Sequence, residues 1–514
     1  MSKFLKGTLI LMAAGLVTRL LGFINRIVLA RVVGEEGVGL YMMAYPTLIL
    51  VVTITQLGLP VAISKAVAEA DIKGDQQKIK RILAVSLAVT GTLSLIFTPA
   101  LFILGPLLSN ILFTDSRTIY PLLAITPIIP IVAVSSVIRG YFQGKQNMKP
   151  SAVSQVLEQA VRITLIAFLT KTFLPYGIEY AAAAAMVASV IGELISLLYL
   201  FAMFKLKKRF PVRKNFWHAL KGGRTTFHEL MNVALPTTGS RMIGSLSWFF
   251  EPIIVSQSLL IAGVAAGIAT KQYGLLTGYA LPLLTLPSFI TFSLATSLVP
   301  AISEANAVRN HQLVEYRLQQ ALRFALLSGG LSVVILFTFS EPLMKLIYGT
   351  ENGAYFIQLM APFFIFHYYQ GPLQAILQAL DLAKAAMINS LIGNAVKLTV
   401  IFVLASQPDI GITGAALGIA TGTVLITTLH FATVLKKIQF TVYIQEYVKF
   451  FAAAIAAGFC GRLMYSGLQV PSTFLQLVAC IIFTALIYIL LLFPLKLIKK
   501  NDLQRIPLIN NLWK

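Results

Sequence analysis

Long apolar runs alternate with short polar segments along nearly the whole chain. At roughly 20 apolar residues per crossing of a bilayer, this pattern predicts an all-α polytopic membrane protein with about fourteen transmembrane helices. The predicted helices lie near residues 8–30, 40–62, 83–110, 121–142, 152–173, 178–204, 230–262, 275–299, 321–346, 356–380, 386–406, 411–435, 447–468 and 474–495.

The second half of the chain repeats the first. Pro106-Leu107-Leu108 recurs as Pro342-Leu343-Met344, and Ala160-Val161-Arg162-Ile163 recurs as Ala395-Val396-Lys397-Leu398, at offsets of 236 and 235 residues. Helices 1 to 6 therefore repeat as helices 7 to 12, and because six is even the two halves share one orientation. We expect a six-helix lobe at 1–204, a basic cytoplasmic linker at 205–229, a second lobe at 230–440, and helices 13 and 14 with a basic cytoplasmic tail at 441–514.

The linker also carries apolar residues at spacings that fit an amphipathic helix lying on the membrane, namely Trp217, Leu220 and Phe227. Helices 13 and 14 lie outside the repeat. The two bundles that the repeat predicts, facing each other across a midplane cavity, are typical of alternating-access transporters. A duplicated architecture of this kind favours transport over a receptor or a simple pore.

Composition excludes an ordinary soluble globule. Hydrophobic residues make up 57% of the chain and charged residues only 12%, against about 25% charged in soluble domains. The net charge of +22 comes from basic residues that concentrate in loops on one side, which predicts that both termini are cytoplasmic and that the cytoplasmic membrane holds the protein. This distribution favours contact with anionic membrane lipids, and no nucleic acid partner is expected.

Candidate chemistry for an enzyme is lacking in the sequence. The two cysteines lie in separate late spans, the five histidines have no ligand spacing, and no phosphate-binding loop is complete. We therefore expect no metal site, no cofactor and no enzymatic activity.

One motif places an arginine near the middle of a membrane span twice. Thr18-Arg19-x-x-Gly22 lies in helix 1, and Ser240-Arg241-x-x-Gly244 lies in helix 7. A charged residue at this depth costs about 2.5–3.5 kcal/mol on insertion scales, so it usually meets a partner or water. Arg26 lies two turns after Arg19 on the same face, beside Asn25. The alternative is that Arg26 reaches the outer interface and that Arg19 and Arg241 only bind helix carbonyls.

A polar stripe marks helix 5, where Gln155, Glu158 and Arg162 share one face. Its repeat partner in helix 11 ends in Lys397, so both halves keep a polar face that we expect to line a cavity. The alternative is that Glu158 and Arg162 only form an i, i+4 ion pair that neutralises a buried charge.

Two further acids lie deep in the spans, Glu193 in helix 6 and Glu251 in helix 7. Each could pair with a basic residue, or it could carry a proton or sodium ion that couples transport; the sequence leaves both open. Across all predicted spans, seven basic residues deep in the helices outnumber three deep acids. This excess favours an anionic substrate, and guanidinium groups match phosphate oxygens, so we expect a pyrophosphate headgroup on a lipid to bind Arg19, Arg26 and Arg241.

Several segments resemble a known superfamily. They are Gly58-Leu59-Pro60-Val61-Ala62-Ile63-Ser64-Lys65, Arg139-Gly140-Tyr141-Phe142-Gln143-Gly144, Met148-Lys149-Pro150, Ser154-Gln155-x-x-Glu158-Gln159 and Leu235-Pro236-Thr237. The chain resembles the multidrug, oligosaccharidyl-lipid and polysaccharide exporters, within a sporulation branch related to the lipid II flippases. The resemblance covers nearly all of the chain. It implies outward movement of a lipid-linked peptidoglycan or polysaccharide precursor for the spore cortex, in the cytoplasmic or a forespore-associated membrane.

The resemblance also implies roles for single residues. Arg19 and Arg241 fit the arginine positions of helices 1 and 7 in the lipid II flippases, whereas this chain has Asn25-Arg26 where that branch has Arg-Asp. Leu50 and Val51 stand where that branch has helix 2 arginines. Two other functions stay open: a cation-coupled multidrug exporter, and a membrane scaffold that recruits wall-synthesis enzymes.

Overall fold

The structure is a computed structural model that describes residues 3–207, 223–438, 444–468, 470–495 and 497. The predicted amphipathic segment falls partly outside these residues, because Trp217 and Leu220 are not among them. The basic tail after residue 497 also lies outside the described part of the chain.

The first part of the chain folds into seven helices. Only a helix satisfies its own backbone hydrogen bonds in lipid, and long apolar runs therefore become helices. They are α1 (Lys3–Gln56), α2 (Leu59–Ile72), α3 (Gln76–Leu107), α4 (Ile119–Ile125), α5 (Ile128–Gly144), α6 (Lys149–Phe173) and α7 (Ile178–Lys207).

The rest of the chain adds eleven helices in its described residues. They are α8 (Arg224–Ile261), α9 (Ala266–Gly274), α10 (Leu281–Thr285), α11 (Ser288–Ala307), α12 (His311–Thr338), α13 (Ser340–Tyr348), α14 (Ala354–Ala379), α15 (Ala383–Ala405), α16 (Ile412–Leu435), α17 (Ile444–Gly467) and α18 (Thr473–Leu492). The π-helical turn Leu108–Leu112 extends α3, and the π-helical turn Leu275–Ala280 follows α9. Side chains of Asp75, Asn310 and Ser472 cap the starts of α3, α12 and α18.

Twelve segments among the described residues are long and apolar enough to cross a membrane. The first of them, Ala13–Ile72, is 60 residues long and combines two predicted spans, because α1 continues through a bend at Gly34, where φ is 77°. The predicted tenth span corresponds to α14, which has 26 residues but is not among the twelve. The predicted fold class is confirmed, and the count of fourteen is approximate.

The chain packs as two compact units. The first unit comprises residues 1–278 and 394–418, and the second comprises residues 279–393 and 419–514. These units are defined by packing, and the division into lobes at 1–204 and 230–440 stays a prediction. The first unit has a core formed by α2, α3, α5, α7 and α8, through residues such as Leu59, Ile63, Ile79, Val137, Leu200 and Leu230. A core of the second unit joins α11, α12, α14 and α16, through residues such as Ile302, Leu318, Ile376 and Val434.

Within the first unit, α1 and α9 approach each other backbone to backbone. A Cβ at Gly39 would lie 2.8 Å from the Thr270 carbonyl carbon, and a Cβ at Gly274 would lie 2.9 Å from the Gly39 Cα. Only glycine fits at either position without a shift of one helix. We call this contact the glycine seam.

Ionic contacts flank the glycine seam. Asp115 accepts hydrogen bonds from Thr270 Oγ1 at 2.8 Å and from Arg117 Nη2 at 2.9 Å, and Arg117 Nη2 also lies 2.7 Å from Glu36 Oε1. Lys271 pairs with Glu35 at 3.3 Å. Burial by itself raises the pKa of the Asp115 carboxyl, but the hydrogen bonds from Arg117 and Thr270 hold that pKa below its ordinary value. The carboxylate is therefore charged at neutral pH and ties α1, α9 and the turn before α4 together.

Candidate functional site

The two motif arginines lie near the middle of their helices, with their side chains exposed. Arg19 belongs to the part of α1 before the Gly34 bend, and Arg241 to α8. In each motif the glycine three residues later, Gly22 or Gly244, borders open space, because no described heavy atom lies within 4 Å of where its Cβ would be. The same motif therefore presents an accessible arginine beside an open glycine in both halves of the repeat.

Arg26 is more enclosed than the motif arginines. Its Nη1 donates a hydrogen bond to the carbonyl oxygen of Thr277 at 3.3 Å, in the π-helical turn after α9. The neighbouring Asn25 is buried, and its Oδ1 has no hydrogen-bond partner among the described residues. A buried amide oxygen without a donor costs free energy, so Asn25 is a position at which a donor on a ligand or a water is expected to bind.

Arg241 lies on the face of α8 that contacts α1 and α2. One turn after it, Ser245 Oγ lies 3.0 Å from Thr53 Oγ1, and on its other side a Cβ at Gly58 would lie 2.6 Å from the Ala234 carbonyl oxygen. These contacts pack α8 against the α1–α2 bend one turn after Arg241 and two turns before it. The exposed Arg241 therefore lies between two packed positions on α8.

A buried cluster of four charges joins α5, α6 and α7. Arg139 Nη2 lies 3.1 Å from Glu193 Oε1 and 3.4 Å from Glu158 Oε2, and it donates to Ser196 Oγ at 3.0 Å. Arg162 pairs with Glu158 one turn away on α6. We call Arg139, Glu158, Arg162 and Glu193 the arginine–glutamate cluster.

Close helix packing explains how this cluster forms. A Cβ at Gly192 would lie 3.0 Å from the Glu158 carbonyl oxygen, so the glycine lets α7 approach α6 and brings the adjacent Glu193 to the cluster. The Glu193 side chain is only 4% exposed. Two positive and two negative charges therefore neutralise each other where solvent cannot, which is the usual condition for burying charge.

The repeat-related position on α15 forms its ion pair with another helix. Lys397 Nζ lies 2.7 Å from Glu251 Oε2 on α8, with both side chains buried. Nearly one turn earlier on α15, Asn394 Oδ1 accepts a hydrogen bond from Ser247 Oγ at 3.0 Å. All three deep acids named from the sequence are thus bound by Arg139, Arg162 or Lys397.

Some predicted candidates come together and others do not. Glu158, Arg162 and Glu193 join one cluster, Lys397 and Glu251 form a separate pair, and Gln155 is half-buried on α6. The Glu158–Arg162 ion pair within α6, considered as the alternative, is present. The roles of these candidate residues in binding or coupling stay predictions.

Sequence reasoning did not single out two features of this region. Arg139 is the centre of the cluster, although the sequence marked it only as one of the deep charges. An aromatic group joins Tyr41 and Tyr45 of α1 to Trp248 of α8, two helical turns after Arg241. The signal was available, because Trp248 follows Arg241 by seven residues and so shares its helix face.

Two family models match the chain. The family described as "Polysaccharide biosynthesis protein" matches residues 4–306, and MatE matches residues 276–403. Stage V sporulation protein B of Bacillus subtilis (strain 168) is 61% identical over 510 residues, which cover 99% of this chain and 98% of that protein. Lipid II flippase MurJ of the same organism is 27% identical over 453 residues, 81% of this chain and 80% of that protein.

The fold also matches a solved structure. Lipid II flippase MurJ in an inward closed conformation superposes with a TM-score of 0.71 at 16% identity, over 95% of this chain and 99% of that chain. Fold and relatives together define a multi-pass membrane protein of the flippase and transporter class, in the multidrug, oligosaccharidyl-lipid and polysaccharide exporter superfamily. Within that class, the chain belongs to the polysaccharide biosynthesis protein family, in the branch of stage V sporulation protein B. The resemblance noted in the sequence is confirmed.

Proposed function

We propose that the chain is a flippase that moves a lipid-linked glycan precursor, carried on pyrophosphate, outward across the cytoplasmic membrane for spore cortex synthesis. The observation that carries the proposal is the pair of exposed arginines, Arg19 and Arg241, each followed by a glycine that borders open space. Relatives support it, since one is named a sporulation protein and another a lipid II flippase.

The charge pattern supports an anionic headgroup. The deep acids Glu158, Glu193 and Glu251 are each bound by a basic residue, and seven deep basic residues exceed three deep acids by four charges. Guanidinium groups bind phosphate oxygens through two parallel hydrogen bonds. We assign the headgroup to Arg19, Arg26 and Arg241, with Asn25 and Gln155 beside it, and leave the lipid tail in the bilayer along α17 and α18.

Alternating access completes the proposal. The headgroup binds from the cytoplasmic side, where both termini lie, and a rocking of the two repeat halves releases it outside. Coupling to a proton or a sodium ion requires one of the deep acids to exchange its basic partner for that ion. Glu251 is the simplest candidate, because Lys397 alone pairs with it among the described residues.

The test measures headgroup exposure in proteoliposomes. A fluorescent label on the headgroup of a lipid-linked pyrophosphate glycan is quenched by an added impermeant reductant only on the outer surface. A hydrogen bond to a charged group contributes about 1.5–3 kcal/mol. Replacing Arg19 and Arg241 together by Ala should therefore slow the movement of the headgroup across the bilayer by about 100-fold or more. Lys171→Ala, at an exposed lysine in the last turn of α6, is the matched control, and its rate of headgroup movement should equal that of the parent protein.

Equal rates of headgroup movement in the double variant and the parent protein would contradict the proposal that Arg19 and Arg241 bind the headgroup. Normal spore cortex in cells that carry the double variant would instead favour the scaffold role, with recruitment of wall-synthesis enzymes through residues 205–229.

A cation-coupled multidrug exporter is the second candidate, because the MatE family matches residues 276–403. This function would depend on a deep acid such as Glu251 or Glu193. The check is whole-cell accumulation of cationic drugs: an exporter lowers it, and Glu251→Gln restores it. Drug levels that do not respond to the protein reject this candidate.

A further inference from the structure

An aromatic group connects α1 to the face of α8 that carries Arg241, through Tyr41 and Tyr45 of α1 and the exposed Trp248 of α8. Tyr41 is 5% exposed and stacks on Tyr45, with ring centroids 5.6 Å apart and an interplanar angle of 16°. Tyr45 and Trp248 pack edge to face, with ring centroids 5.9 Å apart and an interplanar angle of 73°. Trp248 is 37% exposed, so its ring is held on one side by the half-buried Tyr45 and remains accessible on the other.

The spacing between Arg241 and Trp248 defines an open strip on α8. The two residues are seven apart, which is two helical turns and about 10 Å at 1.5 Å per residue. Gly244 lies between them on the same face, and no described heavy atom lies within 4 Å of where its Cβ would be. Beside it, Ser245 is held by Thr53, so α1 fixes the strip without covering it.

We propose that Trp248, supported by Tyr45, binds the sugar ring that follows the pyrophosphate in the substrate. This inference rests on the proposed function and specifies the part of the headgroup that Arg19, Arg26 and Arg241 do not bind. A pyranose ring has an apolar C–H face and a rim of hydroxyl groups, and a rigid indole ring suits that face, as aromatic side chains do in many ligand pockets. A pyrophosphate at Arg241 with its sugar at Trp248 spans the strip, whereas a lone phosphate would not reach.

The geometry favours a sugar over an acyl chain as the occupant. Trp248 shares its helix face with a charged arginine, and this face of α8 contacts α1. An acyl chain would gain nothing from a position beside a guanidinium group. An apolar drug molecule is the occupant that the test must separate from a saccharide.

The test compares two ligands on one set of variants. Trp217 and Trp513 are replaced by Phe, so that Trp248 remains as the last of three tryptophans and reports binding by its fluorescence in nanodiscs. The ligands are a polyprenyl pyrophosphate and the same lipid carrying a sugar on its pyrophosphate. Affinities of variants without Trp248 are measured by native mass spectrometry.

Trp248→Ala should weaken binding of the sugar-bearing lipid by about tenfold, as expected for an aromatic contact and its buried area, and should leave the sugar-free lipid unchanged. Trp248→Phe keeps a flat ring and should recover most of that affinity. Arg241→Ala should weaken both ligands equally. In the single-tryptophan protein, only the sugar-bearing lipid should shift the emission.

The outcomes separate this inference from the proposed function. If Trp248→Ala weakens both lipids equally or neither, the sugar site is rejected, while the flippase proposal stands as long as Arg241→Ala weakens both. If the unaltered protein binds neither pyrophosphate lipid, the proposed function fails first. A third outcome is that an apolar cationic drug competes with the sugar-bearing lipid, and that Trp248→Phe does not restore a preference for the sugar-bearing lipid. The strip is then a drug site, and the inference is overturned.

Discussion

Single residues in this protein show where charge in a membrane helix is neutralised and where it is presented. The sequence predicted the Glu158–Arg162 pair, because i, i+4 neighbours meet on any helix. It could not predict that Arg139 binds Glu193, because these residues meet only through the packing of α5 on α7. Lys397 likewise has no acid in its own stripe and finds Glu251 on α8. Local spacing therefore gave the candidates, and tertiary packing decided their partners.

The arginine–glutamate cluster should be costly to break on one side only. Arg139→Met removes the cation that binds Glu193 and leaves a buried carboxylate without its main partner, which typically costs about 3–5 kcal/mol. Thermal unfolding of the purified protein should show a clear fall in Tm. The double variant Arg139→Met with Glu193→Gln should recover much of the loss, and Arg462→Met on the exposed face of α17 should change little. A Tm unchanged by Arg139→Met would show that the cluster adds nothing to stability.

At the scale of helices, glycine decides how closely elements approach. Gly39 and Gly274 permit the glycine seam between α1 and α9, and Gly192 lets α7 reach α6. The helices themselves could be predicted from their apolar length, but these approaches could not, because the partner of a small residue is set by the tertiary fold. The bend at Gly34 also escaped prediction: the two predicted spans meet at a kink, where Gly34 has non-helical backbone angles (φ 77°, ψ −178°).

Substituting Gly39 tests the seam. Gly39→Ala places a Cβ 2.8 Å from the Thr270 carbonyl carbon, so α1 or α9 must shift, and such overpacking costs about 1–3 kcal/mol. Gly91→Ala in α3 is the matched control, because open space surrounds its Cβ position among the described atoms and alanine favours helix by about 1 kcal/mol. The two variants should change Tm in opposite directions. A fall of similar size in both would remove the special role of the seam.

At the scale of the whole molecule, hydropathy sufficed for the fold class and approached the number of spans. It missed how the chain groups into packed units, because residues 394–418 lie far along the sequence yet belong to the first unit. The repeated motif in the sequence predicts that Arg19 and Arg241 occupy related positions in the two halves. The spacing of Trp248 from Arg241 was visible in the sequence, but its contact with Tyr45 was not, because that contact depends on the packing of α8 on α1.

Cysteine labelling tests the predicted orientation. Cys460→Ser and Cys480→Ala remove both native thiols, and single cysteines are then placed at exposed positions that we expect on opposite sides of the membrane. Ile72→Cys (87% exposed) lies beside a basic loop that we expect in the cytoplasm, and Tyr176→Cys (74% exposed) lies in a turn expected outside. A membrane-impermeant maleimide should label Tyr176→Cys in intact cells and Ile72→Cys only after permeabilisation. The reverse labelling would invert the topology.

The arginine–glutamate cluster has a further consequence for how the molecule experiences the membrane potential. A voltage of 100 mV does about 2.3 kcal/mol of work on each elementary charge that crosses it. At their ordinary charges Arg139 and Arg162 balance Glu158 and Glu193, and Lys397 balances Glu251. These paired charges can move through the electric field together without net electrical work. The field then does work on the charge of the transported headgroup and on charges outside these pairs.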